Sequence, residues 1–157
     1  MNKKSAVVYF SCTGVTEKIA KLIAENSDSD IYKIEAKEIY TDDDLDWHVQ
    51  NSRANREQND AFARPEIANQ ITLDDYGAIY LGYPIWWGTM PKIINTFIET
   101  GALEGKLVIP FCTSGSSGIE DSVSDLENYN LKVSNAHRFN FFDSINDIKK
   151  WLIEIEK

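Results

Sequence analysis

Short continuous apolar runs alternate along this chain with apolar residues at helical spacing, and that alternation limits the fold more than any other feature. Ala6-Val7-Val8-Tyr9-Phe10 is an unbroken apolar run. A strand covered on both faces reads this way, because neither face needs polar residues. Val15, Ile19, Leu22 and Ile23 then recur at helical spacing. Tyr32, Ile34 and Ala36 alternate with Lys33 and Glu35, which suits a half-exposed edge strand. Ala78-Ile79-Tyr80-Leu81 and Leu107-Val108-Ile109 are further buried runs. Between them Pro91 opens a helix, Ile94, Phe97 and Ile98 give its stripe, and Gly101 ends it. Ile119, Val123 and Leu126 mark the next helix, and a weaker strand lies within 131–139. Ile145, Ile148, Trp151, Leu152 and Ile155 form a closing amphipathic helix, with Ser144 and Asp147 at capping-box spacing.

The order predicts an α/β fold: a doubly wound three-layer αβα sandwich around a five-stranded parallel sheet in the order 2-1-3-4-5. Pro110 conflicts with a central strand because it has no N–H for the ladder, so the regular ladder is expected to end near Ile109. The 157 residues make one domain, 1–157. The exception to the rhythm is about 41–65, a polar insertion between the second and third strands. It starts with Thr41-Asp42-Asp43-Asp44, which can cap a helix, and Leu45 and Val49 give it a thin apolar stripe. Long connections are often functional, and otherwise this one is a surface decoration.

Sixteen Lys and Arg face 25 Asp and Glu, a net charge of −9. That balance argues against nucleic acid or an anionic membrane as partner, since both are negative. It serves solubility and admits a basic protein partner. No apolar stretch approaches a membrane span. The N-terminus is basic and then apolar, but the run is short and lacks a small-residue cleavage site, so it reads as a strand and a cytoplasmic location is expected. Cys12 and Cys112 are too few for a disulfide scaffold. Both follow strands, and the third strand should separate them by two neighbour spacings of about 4.8 Å. A disulfide wants Cα atoms within about 7 Å, so two free thiols are expected, near the ligand-binding edge of the sheet. They read as small buried fillers.

Ligands of such sheets bind beyond the carboxyl ends of the strands, at the switch point between the first and third. Three loops meet that edge. Ser11-Cys12-Thr13-Gly14-Val15-Thr16 follows a buried strand and opens a helix, whose free N–H groups and dipole attract an anion. Ser11, Thr13 and Thr16 add hydroxyls, and Gly14 lets the backbone approach. The loop has no Lys or Arg, so a phosphate there would be held by amides and hydroxyls. The plain alternative is a capping turn. Tyr83-Pro84-Ile85-Trp86-Trp87-Gly88-Thr89-Met90-Pro91 follows the third strand, and its adjacent tryptophans offer a stacking surface for a flat ligand. Thr113-Ser114-Gly115-Ser116-Ser117-Gly118 follows the fourth strand and is rich in donors.

Other constellations fail on residue type. There is no Walker loop. A receiver domain needs carboxylates after the first strand, where Ser11 and Cys12 stand. A cysteine phosphatase needs Cys-x5-Arg, but Cys12 is followed at that offset by Lys18 and Cys112 by Gly118. His48 and His137 are far apart with no Cys-x-x-Cys, so no metal is expected.

The three loops together resemble those of the flavodoxin-like FMN-binding proteins, over nearly the whole chain. Ser-x-Thr-Gly-x-Thr resembles the family's phosphate loop, and Pro-Ile-Trp-Trp-Gly and Thr-Ser-Gly-Ser-Ser-Gly resemble its two flavin-ring loops. The Leu45-Asp46-Trp47 region and Arg64-Pro65-Glu66-Ile67 fall within the resemblance. It implies non-covalent FMN with its phosphate on Ser11, Thr13, Gly14, Val15 and Thr16. The ring would lie against Pro84, Ile85, Trp86, Trp87 and Gly88, with Thr113, Ser114, Gly115 and Gly118 bordering the other side. Many flavodoxins carry an acidic, Tyr-containing third loop that stacks on the ring. Here that loop has neither aromatic nor carboxylate, so the very low one-electron potential tied to that arrangement does not carry over.

The chemistry would reside on the flavin, with no catalytic side chain and a backbone carbonyl near Gly88 as partner of its N5. Two functions follow. One is electron transfer to a redox partner protein, steered by the acidic surface. The alternative is an NAD(P)H-dependent oxidoreductase acting on quinones or nitro compounds. In that case the insertion would form a substrate pocket, with Trp47 as a wall and Arg53, Arg56 or Arg64 meeting the anionic cofactor. Surface pairing such as Arg53–Glu57 is the plainer reading of those arginines. A flavin-binding regulator without turnover is a third reading that no residue marks.

Overall fold

In a computed structural model, residues 4–156 are described; the first three residues, where the basic lead begins, and Lys157 lie outside them. The strands are β1 (Lys4–Tyr9), β2 (Asp30–Lys33), β3 (Tyr76–Pro84), β4 (Leu107–Thr113), β5 (Lys132–Val133) and β6 (His137–Phe139). The helices are α1 (Val15–Ser27), α2 (Asp42–Leu45), α3 (Arg53–Gln58), α4 (Lys92–Glu99), α5 (Glu120–Glu127) and α6 (Ile145–Glu156). All ladders are parallel and run β2-β1-β3-β4-β5, with β6 also beside β4. The fifth position is thus filled by two short strands instead of one.

Side chains alternate across the pleat, so each central strand feeds two cores. Ala6, Val8 and Phe10 pack with Ile79, Leu81 and Tyr83 against Ile93, Ile94 and Phe97 of α4 and Leu126 of α5. Val7 and Tyr9 pack with Tyr80, Ile109 and Phe111 against Ile19, Ala20 and Ile23 of α1 and Ile148, Trp151 and Leu152 of α6. The three layers follow from this alternation. Gly82 is required where β3 passes Phe111, because a Cβ there would strike that ring.

Pro110 does not end the ladder, contrary to the expectation at Ile109. It pairs in register with Leu81 inside β4. The sheet geometry removes the conflict. In a parallel ladder the N–H and C=O of one residue face the same neighbour, and alternate residues face alternate neighbours. The Val108 carbonyl accepts from Ser134 and the Ser114 amide donates to Phe139, so the even-numbered residues face the fifth position. There the partner strand is interrupted between Val133 and His137. The missing N–H of Pro110 therefore faces a gap. Asn135, with φ 53°, turns the chain there, and its carbonyl accepts from the Trp151 indole at 2.9 Å.

The edge strand is also shorter than the alternation implies. β2 stops at Lys33, and Ala36 instead bridges Ile67 in antiparallel fashion. This pairing closes the neck of the insertion. Within it, Thr41 caps α2, its hydroxyl accepting from the Asp44 amide while the Asp44 carboxylate accepts from the Thr41 amide. Arg53 is only 9% exposed. Its guanidinium donates to Glu57 at 2.9 Å and to the Glu38 carbonyl at 2.7 Å, and lies 3.7 Å from the Tyr40 ring centroid. The insertion is thus packed around Arg53. At the final helix, Asp147 accepts from both the amide and the hydroxyl of Ser144, while its own amide bonds to the Ser144 carbonyl. Among the described residues no helix is long and apolar enough to cross a membrane, and no cluster of His, Cys, Asp and Glu is arranged for a metal ion.

Candidate functional site

A cavity of about 570 Å³ opens at the carboxyl edge of the sheet. Its walls come from four places. Cys12, Thr13 and Thr16 belong to the first loop and the start of α1, and Pro84, Ile85, Trp86 and Trp87 to the second loop. Leu45, Trp47 and Ala54 come from the insertion, and Phe141 from the turn after β6.

The first loop ends on Gly14 at φ 92°, a left-handed conformation that favours glycine. Ser11 accepts from the Gly14 amide at 3.2 Å, and no side chain caps α1. The first-turn amides of a helix lack intrahelical acceptors, so those of Val15, Thr16 and Glu17 are open to an anion. The Glu17 carboxylate does not oppose this alone. It accepts from the Tyr9 hydroxyl at 2.7 Å and lies 3.6 Å from Lys33, and these contacts hold its pKa below the usual carboxylate range. Thr13 is exposed, whereas Thr16 is buried and its hydroxyl lies 2.7 Å from that of Thr113.

The second loop is a two-residue reversal. Trp86 and Thr89 exchange backbone bonds of 2.8 and 3.2 Å around Trp87 at φ 51° and Gly88 at φ 81°. Positive φ at both central residues is the type I′ pattern. Three anchors hold this turn. Gln58 of the insertion donates to the Trp86 carbonyl at 2.9 Å and accepts from the Lys92 amide at 3.2 Å. The Thr89 hydroxyl donates to Asp125. The Trp86 ring meets Tyr40 and Phe10 edge to face, with centroids 5.4 and 5.9 Å away. Trp86 is therefore a wall fixed by packing, while Trp87 remains 45% exposed.

The third loop reaches the site less directly. Thr113 and Ser114 are buried, and the Thr113 carbonyl accepts from Ile85. Gly115 lies under Phe141, and Gly118 lies against the Glu120 carboxylate. Of the residues expected at the site, Thr13, Thr16, Pro84, Ile85, Trp86 and Trp87 share the cavity wall. Gly14, Val15, Gly88, Thr113, Ser114, Gly115 and Gly118 are not part of its wall; Gly14 lines a separate groove of about 340 Å³ with Glu17 and Lys18, and Ser11 lines a neighbouring cavity of about 410 Å³.

Cys12 touches both cavities, and burial pushes its thiol up to about 12. Cys112 is fully buried and also pushed up to about 12 by desolvation. Both are free thiols. The arginines of the insertion do not face the cavity. Arg53 is held by Glu57 and Glu38, and Arg64 pairs with Glu99 at 2.9 Å. Arg56 is exposed. The donor set fits a flavin nucleotide: uncapped helix amides and hydroxyls for a phosphate, then an apolar, indole-walled cavity for a ring system. Sequence reasoning placed Cys12 at this edge as a free thiol, and it missed Leu45, Ala54 and Phe141 as wall residues. None of these three carried a local signal, since Leu45 and Ala54 are ordinary apolar residues and Phe141 continues the aromatic sequence of β6 and reads as core.

The model of the family described as Flavodoxin matches residues 4–155. Three solved structures are similar. A presumptive flavoprotein of Bacteroides uniformis is 42% identical with a TM-score of 0.93, covering 98% of this chain and 99% of that one. Another from Bacteroides eggerthii is 38% identical with a TM-score of 0.90, covering 99% of both chains. A flavoprotein of Lactobacillus acidophilus, in complex with FMN, is 24% identical with a TM-score of 0.74, covering 96% and 99%.

Proposed function

The chain belongs to the flavodoxin family, whose cofactor is FMN, and we propose on that footing that it is an FMN-binding electron-transfer protein. The observation that carries this reading is the convergence of an uncapped α1 N-terminus with the indole-walled cavity at the switch point. FMN, when bound, supplies reversible one- and two-electron chemistry. The protein's part is to bind, orient and enclose it.

Amides of Val15, Thr16 and Glu17, with the Thr13 hydroxyl, would hold the phosphate without a basic side chain. Pro84, Ile85, Trp86 and Trp87 would hold the ring and exclude water from one side. The Trp87–Gly88 turn adjoins this wall through Trp87 and would offer its backbone to the ring. A net charge of −9 favours a basic protein partner and a faster encounter.

A second reading, an NAD(P)H-dependent reductase of quinones or nitro compounds, is favoured by one observation. Leu45, Trp47 and Ala54 of the insertion line the same cavity, so a small flat substrate would have a wall of its own. The deciding experiment loads the purified chain with FMN, then adds NADH or NADPH with a quinone. Electron transfer to a protein partner predicts stoichiometric flavin uptake and negligible nicotinamide consumption. Steady nicotinamide oxidation supports the reductase instead. A chain that takes up no FMN defeats both.

A further inference from the structure

We propose that Phe141, in the turn between β6 and α6, forms the aromatic wall of the ring site on the side of the third loop. The inference rests on the reading that the cavity takes a flavin. The third loop, Thr113 to Gly118, has no aromatic residue. The Phe141 ring nevertheless lies on it, since a Cβ built at Gly115 would touch Phe141 Cε2 at 3.6 Å. The same ring lines the cavity with Thr13, Thr16 and Trp87.

The turn that presents it is fixed at both ends. Phe139 is fully buried, and its carbonyl accepts from the Ser114 amide at 3.0 Å, tying β6 to the third loop. Within the turn, the Asn140 amide donates to Asp143 and the Phe142 amide donates to the Asn140 side chain, both at 2.8 Å. Phe141 is 56% exposed despite this anchoring. A held aromatic face, open to water and turned to a cavity, is surface that a flat ligand would cover. Phe142 is 93% exposed and not on the cavity wall, which makes it an internal control.

The test measures binding of FMN and riboflavin to the full chain by flavin fluorescence quenching, for wild type, Phe141→Leu, Phe141→Trp and Phe142→Leu. Phe141→Leu should weaken both flavins by the same factor, roughly three- to tenfold, the scale of one lost aromatic contact. It should also quench less at saturation and leave the apo-protein's melting temperature unchanged. Phe141→Trp should restore affinity and quenching, and Phe142→Leu should match wild type. Wild-type affinity and quenching in Phe141→Leu overturns the proposal. An equal loss in Phe142→Leu also overturns it, because the turn and not the ring would then matter. If the wild-type chain binds neither flavin, the cofactor reading falls and takes this inference with it.

Discussion

The hydroxyls of Thr16, in the first turn of α1, and Thr113, the last residue of β4, are buried and lie 2.7 Å apart. They join the first and third loops, although β3 lies between β1 and β4 in the sheet. Two hydroxyls carry two protons, and their mutual bond uses one. The second remains available, and Thr16 lines the cavity.

Thr16→Val should therefore destabilise the apo-protein by about 1–3 kcal/mol, the cost of leaving the buried Thr113 hydroxyl without its partner. Thr113→Val should do the same. The double variant should lose less than the sum of the two, because it strands neither hydroxyl. Urea denaturation of the four proteins gives the coupling directly. Strict additivity would mean that the hydroxyls do not support each other.

Thr13 is the exposed hydroxyl of the first loop and has no fixed partner among the described hydrogen bonds. Thr13→Ala should weaken FMN by roughly ten- to a hundredfold, one hydrogen bond to a charged group, and leave riboflavin unchanged. Titration calorimetry with the two ligands checks this. Equal losses for both would place the phosphate elsewhere.

The sheet and its layers were legible because β1, β3 and β4 are buried on both faces and their sequences show it without polar interruption. Pro110 was misleading for a reason that sequence does not contain. Its cost depends on which neighbour its nitrogen faces, and that neighbour is broken between Val133 and His137. The cavity walls were legible where the signal was local, as in Trp86-Trp87-Gly88. Leu45 and Ala54 were not, since each is an ordinary apolar residue in a short helix until the insertion folds around Arg53. Phe141 follows a strand and resembles core sequence. Its exposure comes from the Asn140 and Asp143 turn, which places it outside the core.

The cysteines should label slowly and with a high-pH profile. Burial disfavours the thiolate, which raises the Cys12 pKa to about 12, so its thiolate fraction at pH 8 is about one in ten thousand. Alkylation by iodoacetamide should keep rising through pH 10, where an ordinary thiol of pKa about 8.5 has levelled off. Saturating FMN should slow Cys12 further, since Cys12 is on the cavity wall, and leave fully buried Cys112 unaffected. Mass spectrometry of the two peptides reads both. A plateau at pH 9 would show that the Cys12 thiol is solvated.

Trp87 is the position where stability and binding should separate. A residue with a Cβ loses about 1–2 kcal/mol in the left-handed region, and Trp87 sits there at φ 51°. Its ring is 45% exposed and meets Trp86 edge to face at 6.5 Å, so local packing recovers only part of that cost. Asn tolerates the left-handed conformation. Trp87→Asn should therefore keep or raise the apo-protein's stability, by up to about 1 kcal/mol, while weakening FMN and riboflavin together by about tenfold. Gly88→Ala, at φ 81°, gives the opposite control: it should destabilise by about 1 kcal/mol through backbone strain alone. Thermal melts and flavin titrations on the same samples separate the two effects. If Trp87→Asn instead destabilises the apo-protein by more than Gly88→Ala does, the Trp87 ring is a packing residue and the turn is not held in that conformation for a ligand.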